Sequence, residues 1–147
     1  MGAEPYWYTV PYHPDINLAL QQLRDREFRA GRYNPVIAFP SFPITGSSPC
    51  PGPQHGSIEE AMAATDADGT RSILDIFNVG DEPDMLTASP LKDETIESIY
   101  GTKQPTREMV EANRAFLGEA GRGQAIYMVI YAGESPSEIL FAGYSFD

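Results

Sequence analysis

Cys50 and His55 are the nearest approach in this chain to a nucleophile and its base. A thiolate nucleophile needs a base within hydrogen-bond reach and a third group to orient that base. Here Pro49, Pro51 and Pro53 surround the pair, and no helix start stands directly behind Cys50 to favour its thiolate. They read as a loop cysteine and an incidental histidine, so no catalytic residue is assigned. His13 is the only other histidine, and two histidines with one cysteine make a poor zinc set. A Ser–His–Asp arrangement cannot be built from His13 or His55 either. The glycines of Gly121-Arg122-Gly123 precede a strand pattern rather than a helix, so they do not form a phosphate-cradling loop.

Asp66, Asp68 and Asp75 lie around Gly69, and hard cations want several oxygens from one turn. The calcium-loop register fails, however. With Asp68-Gly69 at positions 5 and 6, position 1 is Ala64 and position 8 is Arg71. The segment reads as a solvated turn. No metal or cofactor is assigned.

The strongest signal is electrostatic. Eleven acids and two bases, Arg71 and Lys92, lie between Glu59 and Glu97, which places nine of the chain's eleven net negative charges there. Such a field repels nucleic acid and anionic membrane and attracts cations or a basic protein. A chain of net charge −11 also lacks the backbone electrostatics that dominate nucleic-acid affinity. The acids Glu59, Glu60, Asp66, Asp68, Asp81, Glu82 and Asp84 are the candidate partner-binding residues, with Met85 supplying apolar area. Against this belt stand Arg24, Arg26, Arg29 and Arg32. They read as a salt-bridged outer helix face containing an Asp25–Arg29 pair, with a phosphate or carboxylate contact, or an intramolecular counterpart to the acid belt, as the alternative.

The elements that position these groups follow from local pattern. Tyr6 to Val10 is aromatic and β-branched between two prolines, which predicts a strand. Tyr6 and Tyr8 share one of its faces. Asp15 caps a helix carrying Ile16, Ala19, Leu20, Leu23 and Phe28 on one side, and Gly31 ends it. Val36 to Phe39 suggests a short strand. Pro40 to Gly56, with five prolines and three glycines, is a long loop. Ser57-Ile58-Glu59-Glu60 is a capping box that starts a helix running to about Thr65. Ser72 to Val79 predicts a buried strand, and Ser89-Pro90 a helix start closed by Gly101. Another helix begins at Pro105 or Thr106. Ala125 to Ala132 and Glu138 to Tyr144 form a C-terminal β-hairpin.

These elements predict a single α+β domain over residues 1–147, with a mostly antiparallel four- to five-stranded sheet and three to four helices. At 147 residues such a domain buries roughly two thirds of its unfolded surface. One cysteine allows no internal disulfide, residues 1–6 lack the basic and apolar regions of a signal peptide, and Tyr6 breaks the myristoylation pattern at Gly2. Ala125 to Ala132 is too short to span a bilayer. A soluble cytoplasmic protein is the expectation. Its expected function is non-enzymatic: an acidic binding module of the toxin-neutralising immunity type, masking a cationic protein. The competing expectation is an enzyme or small-molecule-binding domain with its site under the Pro40–Gly56 loop, using Arg71, Tyr100, His55 and the paired acids.

Overall fold

A computed structural model describes residues 3–147; Met1 and Gly2, on which the leader and lipidation readings rest in part, lie outside the described residues. Five strands and four α-helices form one α+β unit, in the order β1 (Pro5–Pro11), α1 (Ile16–Ala30), α2 (Ile58–Ala63), β2 (Asn78–Val79), β3 (Thr87–Pro90), α3 (Asp93–Tyr100), α4 (Arg107–Ala112), β4 (Ala125–Ala132) and β5 (Ser135–Tyr144). The sheet order is β1-β5-β4-β3-β2. β5 pairs antiparallel with β1 and β4, whereas β3 pairs parallel with β4 and β2. The sheet is therefore mixed, not purely antiparallel, with its two long ladders antiparallel and its two short ones parallel. The β2–β3 ladder is only two residues long, which lets a short loop return the chain in the same direction. No helix among the described residues is long and apolar enough to cross a membrane.

Both faces of the sheet are covered. On one, Tyr6, Tyr8, Val10, Ile139 and Phe141 pack against Leu20 and Leu23 of α1, Tyr33, and Ile73, Leu74 and Ile76. On the other, Ile126, Met128, Ile130 and Leu140 pack against Leu91, Ile96, Val110 and Phe116. The two-residue alternation along β1 and β4 divides each strand between these cores.

α1 begins where the Asp15 carboxylate accepts the Leu18 N–H at 3.0 Å. It ends where Gly31 adopts φ 75° and the Arg32 N–H closes back on the Glu27 carbonyl at 3.2 Å. Ser57 caps α2 as the sequence suggests: its hydroxyl accepts the Glu60 N–H at 3.2 Å and donates to the Glu60 carboxylate at 3.5 Å. The hairpin turns at Gly133-Glu134, with a bulge beside Ile130/Tyr131. Thr106 caps α4, as the sequence suggests.

Three expected elements differ. Residues 36–39 form turns rather than a strand. Ser72 to Val79 is not one strand but a 3₁₀ turn over Ile73–Asp75 followed by the two residues of β2. The Ser72 hydroxyl accepts the Leu74 N–H at 3.3 Å and starts that turn, and the short apolar run is buried whichever backbone it adopts. Ser89-Pro90 lies in β3, not at a helix start; α3 begins at Asp93, where two acids complement its N-terminal dipole.

Candidate functional site

Glu59 and Glu60 lie exposed in the first turn of α2, and Asp81, Glu82 and Asp84 lie exposed in the loop from β2 to β3. None of these five makes an ion pair among the described residues, and Asp84 accepts only the Met85 N–H, at 2.8 Å. Asp68 is different: it faces the Arg71 guanidinium at 3.7 Å. The side chain of Asp66 lies outside what is described. Two large apolar side chains flank the 81–84 loop, Phe77 at 45% and Met85 at 49% exposure. Arg24 joins this edge to α2. Its guanidinium lies 5.6 Å from the Phe77 ring centroid; burial lowers its pKa, and the nearby charge of Glu59 opposes that shift.

Asp68 and Asp75 do not converge around Gly69. Asp68 turns to Arg71, while Asp75 is buried and accepts hydrogen bonds from the Thr70 N–H and hydroxyl, both at 2.9 Å. No group of three or more acid, cysteine or histidine side chains among the described residues is arranged to hold a metal ion. The other Asp75 oxygen has no partner, and neither has the buried Tyr6 hydroxyl. Burial pushes the Asp75 carboxyl upward, opposed by Thr70 and by the charge of Arg24. The folded state therefore holds this proton more tightly than the unfolded chain. Its stabilising contribution is complete below the unfolded carboxyl range and is lost as pH rises through the higher folded value. Denaturant melts from pH 4 to 7 should show the parent losing stability relative to Asp75→Asn as pH increases. Parallel pH profiles for the two proteins would show that Asp75 does not titrate in this way.

The Pro40–Gly56 loop does roof a depression, but with other polar groups than expected. His55 shares a 2.8 Å hydrogen bond with the Tyr33 hydroxyl, while Cys50 is exposed, and no hydrogen bond joins the two. Arg71, held at φ 52°, donates to the Ala38 carbonyl at 2.7 Å and stacks under Phe39. The Tyr100 hydroxyl donates to the Asn113 carbonyl, and burial raises its pKa to about 12. It packs on the face of the sheet opposite Tyr33. Tyr100 therefore does not share a site with His55.

What the loop covers instead is the free edge of β1. Phe42 sits against Tyr6, Trp7 and Tyr8, with ring centroids 5.1–6.4 Å away. Beyond it opens a cleft of about 200 Å³. Its floor is Trp7 and Thr9, backed by the buried Ile130 and Leu140; one wall is Pro43-Ile44-Thr45, and the buried Val110 and Phe116 lie behind the other. Arg26, Arg107 and Arg114 reach its rim, with Glu111. Arg107 is spent on two acids, Glu111 at 3.0 Å and Glu138 at 2.7 Å, which raise its pKa in that order. Arg114 lies over the Trp7 ring at 4.9 Å and has no acidic partner among the described residues. Arg26 also borders two shallower depressions, one beside Tyr12 and His13 and one beside Arg29, Arg32 and Cys50.

The first-helix arginines divide between two roles. Arg29 pairs with Asp25 at 3.0 Å on the surface, as the sequence suggests. Arg26 and Arg32 instead grip Glu27, which is 0% exposed on the apolar side of α1. Sequence reasoning missed Glu27, Arg107 and Arg114. The available signal for Glu27 was its place four residues after Leu23 in the apolar stripe. Arg107 and Arg114 carry no local signal, because only the tertiary fold brings them to Trp7. Comparison with protein-family models, curated proteins and solved structures finds no match.

Proposed function

We propose that this domain is a non-enzymatic binding module that holds a cationic protein on its acidic edge, in the manner of an immunity protein that masks a toxin. The observation that supports the reading best is the combination at the β2–β3 edge. Asp81, Glu82 and Asp84 are exposed without cationic partners among the described residues, between the exposed side chains of Phe77 and Met85. Charge of one sign attracts a partner from a distance, and large apolar side chains supply area to bury once it arrives. Glu59 and Glu60 extend the negative field beyond Arg24, whose guanidinium lies against Phe77.

Mechanistically, association would be steered by the field and completed by steric cover over the partner's own site. The test begins with the tagged protein as bait, washed first at low and then at high salt, to isolate a basic partner. With that partner in hand, reversing Asp81, Glu82 and Asp84 together to lysine is expected to slow association by about tenfold or more at low salt. Dissociation and the far-UV spectrum should change little. A triple variant that associates as fast as the parent would sink the reading.

A further inference from the structure

We infer that the cleft beside β1 is a binding site for a small monocarboxylate with a flat apolar body. Its charge and shape carry this assignment, independently of the acidic edge. Of the three arginines that line the cleft, Arg26 is paired with Glu27, and Arg107 is shared by Glu111 and Glu138. Arg114 has no acidic partner among the described residues, which leaves one guanidinium of the cleft unpaired. In a chain of net charge −11, a rim of three arginines and one glutamate is a local inversion of sign. One unpaired guanidinium matches one carboxylate better than a phosphate dianion.

The geometry favours the same ligand. The Arg114 guanidinium lies over the indole of Trp7, 4.9 Å from the ring centroid, and makes no side-chain hydrogen bond among the described residues, so its N–H fork can take a bidentate carboxylate. The accessible apolar surface beside it comes from Trp7, Pro43 and Ile44, backed by the buried Val110, Phe116, Ile130 and Leu140. The volume, about 200 Å³, is somewhat more than the roughly 150 Å³ cavity that accepts a benzene ring. An aryl group with a short carboxylate arm fits both halves of the site.

Trp7 is the only tryptophan of the chain and lies in the cleft floor, so its fluorescence reports occupancy. Titrating the full chain with 3-phenylpropionate should give a saturable change, with Kd on the order of 0.1–1 mM for a ligand of this size. The neutral 3-phenylpropanamide, phenyl phosphate and propionate should each bind about tenfold more weakly or worse, because each lacks the matching charge or the ring. Arg114→Gln should weaken 3-phenylpropionate by about tenfold, and Arg114→Lys by less, since lysine keeps the charge but loses the planar fork. Calorimetry should repeat the titration on the variants, because altering Arg114 changes the Trp7 environment directly, and far-UV dichroism should show that they fold.

Amide binding within twofold of the acid, unchanged affinity in Arg114→Gln, or no saturation would each overturn the assignment. Tighter binding of phenyl phosphate would also overturn it, in favour of a dianion site. A failed partner capture would leave this titration unaffected, so the two proposals fall separately.

Discussion

Glu27→Ala is expected to destabilise the protein by about 3–5 kcal/mol, the cost of breaking a buried ion pair by removing one member. Arg32 grips this carboxylate with two bonds, Nε at 2.8 Å and a terminal nitrogen at 2.7 Å, while Arg26 adds a third at 2.8 Å. The Arg32 side chain is only 12% exposed, so water would replace Glu27 poorly. The loss is a large share of the 5–15 kcal/mol that holds a typical domain folded. Asp25→Ala, which removes a half-exposed surface pair with Arg29, is the matched control and should cost well under about 1 kcal/mol. Equilibrium urea unfolding of both variants checks the contrast. Equal effects would mean that the buried network contributes no more than a solvated one.

The second large effect is expected at Gly31. Its φ of 75° lies in the left-handed region, and a β-carbon there would collide with the backbone of Gly52. Gly52 approaches this closely because its N–H donates to the Ala30 carbonyl at 3.0 Å. Gly31→Ala therefore adds a left-handed penalty of about 1–2 kcal/mol to an overpacking cost of about 1–3 kcal/mol. The clash is with main chain, so no rotamer change can relieve it; the Pro-rich loop must shift. We expect a midpoint loss in urea together with faster proteolysis between residues 40 and 56. Gly133→Ala separates the two contributions, since Gly133 has φ 65° but nothing within 4 Å of an added β-carbon. A Gly31→Ala variant no less stable than Gly133→Ala would show that the loop is not seated on the helix end.

The features legible in the sequence are those with local causes. The cap at Asp15, the stop at Gly31, the cap at Ser57 and the hairpin at Gly133 are each set by residues within a few positions of one another. The misread features have long-range causes. Ile73, Leu74 and Ile76 are apolar because they enter a core, and that pressure is the same for a strand and a 3₁₀ turn. Thr87 to Pro90 becomes strand only because β4 runs beside it. The cleft was half legible. The proline content of residues 40–56 marked the roof, but Arg26, Arg107 and Arg114 come from separate elements of the chain and meet only around β1. Glu27 was missed because an acid between arginines suggests solvent, although its position in the stripe points inward.

The two ends of the described chain are tied together: the Ser145 N–H donates to the Glu4 carbonyl at 3.0 Å, and the Glu4 N–H to the Ser145 hydroxyl at 2.9 Å. Pro5 stands opposite Tyr144 at the start of the β1–β5 ladder, and Pro11 opposite Glu138 at its far end. A load applied at both ends would therefore fall on one pair of hydrogen bonds at a time, peeling β1 from the sheet like a zipper instead of shearing all seven residues at once. Under tension between two anchored neighbours, the first piece to leave is the strand that carries Trp7 and Thr9. The cleft beside β1 would lose its floor, and Phe42 the three rings it rests on, while the β4–β5 hairpin stayed paired.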